Sequence, residues 1–355
     1  MRSLLFKLTL LIVLLVPLGV HAETPSIAGE DLFNETVEKA AKGKVSLNPV
    51  DIFNMISDDL LGEIRDCTDD VIIIFVLAAI SGIVKIVSDS IGGKSTGEAA
   101  FFACFTLMSA AAVKCFFTAL QYGTDVVKSM TDFITKLSPM FMVTVAATGK
   151  AVSAASFQPV LSAAVYIVSI VIEKCLVPLV TFSSVLAVAG NISEKVQLSG
   201  FGKVVKSISK WIMAAIITIF TGISAIYGFS APSFDAVGGK AIKFAVGSLV
   251  PVVGTFLSDT METVVNGARL MKNAVGTAGI VVICVICAIP VMKIAVMQLM
   301  LKLTSAIAEP LTDKRISKMM WDVSESVTTI FAVVVMVAVM FIINISIMIA
   351  VTNGG

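Results

Sequence analysis

No charged residue follows Glu325, and the segment 326–351 is almost wholly apolar. Crossing the roughly 30 Å hydrocarbon core of a bilayer takes about 20 helical residues. No water is present there to satisfy backbone N–H and C=O groups, so only helices and closed barrels span it. A stretch of this length and composition is therefore a membrane helix. Others read the same way: 70–88, 99–121, 157–173, 175–190, 211–229 and 274–292. Only 14% of the 355 residues are charged, against about 25% in soluble domains, which leaves too little polar surface to face water. The expectation is an all-α, polytopic bundle of about seven spans over 70–355.

The N-terminus reads as an export signal over 1–22: Arg2 and Lys7, the apolar run LTLLIVLLVPLGV, and a small-x-small site at Val20-His21-Ala22. The alternative is an uncleaved first membrane helix. Cleavage would remove His21, the single histidine, and with it histidine triads, metal sites and proton relays. Residues 23–69 form an acidic segment expected outside the cytoplasm, and NPVDIFNMISDDLLGEI (48–64) within it carries apolar residues at helical spacing. Loop charge gives an orientation. The segment 192–210 holds Lys195, Lys203, Lys206 and Lys210, and 302–322 holds Lys302, Lys314, Arg315 and Lys318, so both are expected in the cytoplasm. The C-terminus and 230–273 would then lie outside.

Two short apolar stretches contain a proline, LSPMFMVTVAATG (137–149) and AVGSLVPVVGTFLSD (245–259). Pro251 has no N–H and leaves the carbonyl of Gly247 without its helical partner, while Gly254 permits a bend. Freed backbone groups need protein or water, so one reading is a pair of broken or re-entrant helices lining a route, with Pro139, Gly247, Pro251, Gly254 and Asp259 along it. The other is a kinked helix inside the bundle. Sliding the chain by 112 residues brings Pro139 onto Pro251 and Cys175-Leu-Val-Pro178 onto Cys287-Ala-Ile-Pro290, an echo that would divide the chain into repeats 92–203 and 204–315, as in transporters built of two halves. Among charges inside the spans, Lys114 is the candidate for an interior functional charge. Lys293 interrupts the stretch after Pro290. Lys85 is expected to snorkel, and Glu173-Lys174 to mark a turn between two spans.

Enzyme chemistry is not expected. SIGGKST (90–96) lacks the first glycine of a phosphate loop, because residue 88 is Ser, and no G-x-S-x-G occurs. Cys284-x-x-Cys287 sits in VVICVICAIP, where a thiolate would be desolvated, so packing is the expected role. No catalytic residue, metal, cofactor or nucleic-acid partner is expected.

The stretches KFAVGSLVPVVGTFLSDTMETVVNGARLMKNAVG (243–276), SEKVQLSGFGKVVKSISKW (193–211) and YGFSAPSFDAVGGKAIKF (227–244) resemble the stage III sporulation protein AE family. The resemblance implies a multi-pass subunit, in the mother cell's outer forespore membrane, of a channel complex linking mother cell and forespore. Its partners would be the lipid bilayer and the other stage III channel subunits. A free-standing secondary transporter and a membrane scaffold without a pathway are the alternatives.

Overall fold

The computed structural model describes residues 72–87, 90, 94–147, 151–192, 199–249 and 254–350. The expected leader, the 23–69 segment and Pro251 lie outside these residues. All regular structure among the described residues is helical: α1 (Ile72–Val87), α2 (Lys94–Ala147), α3 (Ala151–Val171), a π-helical stretch (Ile172–Leu176), α4 (Val177–Ala189), α5 (Ser199–Leu249), α6 (Gly254–Leu311) and α7 (Lys314–Ala350). Among the described residues, five stretches are long and apolar enough to cross a membrane: Gly97–Ala147, Pro159–Ala189, Gly200–Ile226, Asn266–Leu311 and Lys314–Ile349.

The expected turn at Glu173-Lys174 is not a turn. The two spans expected at 157–173 and 175–190 are one continuous rod from Pro159 to Ala189, and the correction has a backbone cause. Pro178 cannot donate, and an α-helix would leave the carbonyl of Lys174 without a partner. Winding Ile172–Leu176 as a π turn shifts the bonding by one residue, so that Val177 N–H reaches the Ile172 carbonyl and the helix passes the proline. Glu173 and Lys174 pair on the outer surface, with Nζ 3.1 Å from Oε1. The stretch 137–149 differs from expectation as well. Pro139 lies inside α2, whose helix continues to Ala147, so the segment is the end of a long rod rather than a separate short piece. The echo is not reproduced in the helix ends: shifted by 112 residues, Ala147 falls on Asp259 inside α6, whereas α5 ends at Leu249.

Three helices form the centre of the bundle, and small residues let them approach. A Cβ placed on Gly123 of α2 would lie 2.5 Å from Ile330 Cγ2 of α7. One on Gly279 of α6 would lie 2.8 Å from Leu137 and 3.2 Å from Ile345. One on Gly276 would lie 2.5 Å from Ile349 and 3.4 Å from Phe141. These contacts fix the register: α2 and α7 run in the same direction, so that 123–141 of α2 lies alongside 330–349 of α7, and α6 runs antiparallel to both. Phe116, Met130 and Phe141 of α2, Ile283 and Ile294 of α6, and Phe341 of α7 fill the space between them.

A tight connection joins α6 to α7. Asp313 accepts from the Arg315 backbone N–H at 2.9 Å and from its guanidinium at 3.1 and 3.0 Å. Thr312 donates its hydroxyl back to Ala308 O, and Lys85 of α1 donates Nζ to Thr312 O at 2.8 Å. Burial works to raise the Asp313 pKa, but the bonds to Arg315 and the charges of Arg315 and Lys85 outweigh it and hold the carboxyl below the usual range. A depressed folded pKa contributes stability that is present above the unfolded value, near 4, and is lost as pH falls through the folded one. Asp313→Asn is expected to lower stability by about 1 kcal/mol at pH 7 and to flatten the acid limb of a thermal-melting profile below about pH 4.

Candidate functional site

Charge along α2 recurs at helical spacing. Lys114, Thr118, Gln121, Asp125, Lys128, Asp132, Lys136 and Pro139 follow one another at intervals of three or four, the repeat that keeps residues on one face of a helix. The stripe alternates in sign from Asp125 to Lys136, over about 16 Å at 1.5 Å per residue. Lys114, Lys128, Asp132, Lys136 and Pro139 are exposed on the outside of the chain, and Gln121 and Asp125 are half-buried. The buried carboxylate oxygen of Asp125, Oδ2, meets no hydrogen-bonding group among the described residues.

Depth makes this stripe unusual. The packing at Gly123, Gly276 and Gly279 sets 123–141 of α2 beside the uncharged part of α7, where no charge follows Glu325. At the same level lie the apolar parts of α5 and of the Pro159–Ala189 rod, because Lys206 of α5 meets Asp322 of α7 at 3.6 Å and Ser183 of α4 meets Ser326 of α7 at 3.4 Å. The apolar parts of these helices lie at one level, and Asp125, Lys128, Asp132 and Lys136 of α2 fall within it, as does the exposed Glu173–Lys174 pair of the π stretch. An ionised side chain at that depth costs about 2.5–3.5 kcal/mol on insertion scales. Four of them facing lipid would cost on the order of 10 kcal/mol, comparable to a whole domain's stability. The face must meet water or protein.

Buried cations flank the stripe on α6. Lys293 is buried, with Nζ 4.8 Å above the Tyr122 ring of α2. Lys272 is fully enclosed and donates Nζ to Ile349 O at the end of α7. Between them 273–292 carries no charge, and at 1.5 Å per residue it spans about 30 Å, the thickness of the hydrocarbon layer. Lys272 lies level with the end of α7, whereas Lys293 lies inside the level that α7 marks, because Lys302, nine residues further along α6, pairs with Glu325 where the uncharged part of α7 begins.

The sequence-expected residues are distributed unevenly. Lys114 lies on the exposed face of α2, not in the bundle interior where the sequence places it, because its neighbours Val113, Cys115 and Phe116 take the buried positions. Pro139 ends the same stripe, so these two residues share one face of one helix. Gly247 lies in the last turn of α5, Gly254 opens α6 and Asp259 is within its second turn. The side chain of Asp259 and the whole of Pro251 fall outside the described residues. Asp125, Lys128, Asp132, Lys136 and Lys272 escape the sequence reading. The first four have a signal, their heptad-like spacing through a helix, but it lies between two apolar runs and reads as a loop. Lys272 has none, since its burial depends on where α7 ends.

A family model described as "Stage III sporulation protein AE" matches residues 32–352. The chain is 28% identical to "Stage III sporulation protein AE" of Bacillus subtilis (strain 168) over 271 residues, covering 76% of this chain and 68% of that relative. No solved structure matches.

Proposed function

The chain belongs to the stage III sporulation protein AE family, and from that premise we propose that it serves as a transmembrane subunit of a channel complex linking mother cell and forespore, needed for forespore development. The α2 stripe supports this reading. A charged, alternating face at hydrocarbon depth, with a carboxylate oxygen that meets no partner among the described residues, is what a polar route needs. One chain contributes a single wall, so the route closes only when further subunits surround that face. A lone transporter would instead enclose its own path.

Cysteine substitution tests the claim. In a sporulating strain whose only copy has its native cysteines replaced, Lys128→Cys and Asp132→Cys are expected to react with a membrane-impermeant maleimide. Ile219→Cys, at the same depth on the exposed apolar side of α5, is expected to remain unreacted. Equal, low labelling at all three positions would remove the polar-route reading. Liposomes containing this chain alone are expected to pass no solute; uptake by them would favour the transporter.

A further inference from the structure

Between the end of α4, the first turns of α5 and the first turns of α7, the structure holds a cavity of about 80 Å³. A single water needs roughly 10–15 Å³ on the same measure, so there is room for a phosphate group with waters. Ser183, Asn191, Lys203, Lys206, Lys318 and Asp322 line it. The sole acid among the described lining residues, Asp322, is already engaged: Lys206 Nζ lies 3.6 Å from Oδ1, and Asn191 Nδ2 donates to Oδ2 at 3.2 Å. Asn191 is itself fixed by donating to Ala187 O at 2.7 Å. Lys203 and Lys318 stand exposed at the mouth, so the lining carries an excess of two positive charges.

The surroundings fit a lipid headgroup better than a free ion. The chain has two tryptophans, Trp211 and Trp321. Both are exposed, and both lie within a few residues of the Lys206–Asp322 pair, where the uncharged part of α7 begins. Exposed tryptophans collect at the headgroup level of a bilayer. Phe201, Val204 and Ile208 continue the exposed apolar stripe that ends at Trp211, on the same first turns of α5 that supply Lys203 and Lys206. A molecule held here would have a cationic seat for its phosphate and a greasy helix flank for its chains. Basic pockets between membrane helices are suited to such headgroups. We propose that this cavity binds the phosphate of an anionic phospholipid, a role independent of the α2 route.

The test uses the full-length chain in detergent with mixed micelles. Short-chain phosphatidylglycerol is expected to raise its melting temperature in a saturable way, whereas phosphatidylcholine and inorganic phosphate are not. Lys203→Gln with Lys318→Gln is expected to weaken the apparent phosphatidylglycerol affinity about twenty-fivefold, at about fivefold per lysine. The double control Lys210→Gln with Lys314→Gln removes the same charge away from the cavity and is expected to retain binding. Lys206 is left intact because it holds Asp322. Equal stabilisation by phosphatidylcholine, stabilisation by inorganic phosphate alone, or equal loss in both double variants would each overturn the proposal.

Discussion

Gly123→Leu is expected to leave little folded protein in the membrane. Its Cβ alone would stand 2.5 Å from Ile330 Cγ2 and 3.5 Å from Val334 Cγ2, and both partners are β-branched residues held stiff at χ1 in a helix. A small apolar cavity of about 20 Å³ borders the site, lined by Gly123, Ile330 and Val334 with residues of the π stretch and α4. That space can absorb one displaced methyl group, so Gly123→Ala is expected to be tolerated with a loss of about 1 kcal/mol. A leucine brings three more carbons and forces α2 away from α7. Overpacking of this kind costs about 1–3 kcal/mol when the backbone can shift, and here any shift also opens the neighbouring seats at Gly276 and Gly279. Gly222 is the comparison, with nothing within 4 Å of its Cβ position. Gly222→Ala should match the parent or exceed it slightly through helix propensity. Membrane-fraction abundance and detergent melting temperature check both, and an unchanged melting temperature for Gly123→Leu would mean that α2 does not pack on α7 as described.

How much of this architecture is legible in sequence depends on what each feature rests upon. The α7 span follows from composition alone, since an uncharged stretch of that length admits one structure in lipid. The fusion of two expected spans into the Pro159–Ala189 rod does not follow. Glu173, Lys174 and Pro178 are ordinary turn signals, and only the one-residue shift of a π turn lets the helix pass them. Pro139 misleads in the same way, because a proline on an exposed helix face leaves the helix running on to Ala147. The α2 stripe is legible as spacing, but its depth is not. Depth comes from Gly123 meeting Ile330 and from Gly276 seating both Phe141 and Ile349, contacts between residues far apart in the chain. Lys114 shows the limit clearly: its place within an apolar run suggests an interior charge, and the phase of the helix turns it outward.

Replacing Asp125, Lys128, Asp132 and Lys136 together with leucine is expected to move stability and function in opposite directions. At hydrocarbon depth each substitution removes a side chain that costs about 2.5–3.5 kcal/mol to place there and adds one that is favoured. The chain should therefore insert and accumulate at least as well as the parent, and its melting temperature should not fall. Spore formation should drop by orders of magnitude, because the polar face of α2 has become lipid-like and can no longer border water or a polar neighbour. Swapping the signs instead, with Asp125→Lys, Lys128→Asp, Asp132→Lys and Lys136→Asp, separates two ways in which the face could act. A wall of a water-filled route keeps its polarity and alternation after the swap, so spore counts should recover substantially. A face paired charge for charge against a partner would gain four like-charge contacts, each unfavourable, and stay inactive. Counting heat-resistant spores from the leucine strain decides the larger question. If they form at parental frequency while the protein sits in the membrane, the stripe faces nothing that matters, and the channel-subunit reading loses the residues that carry it.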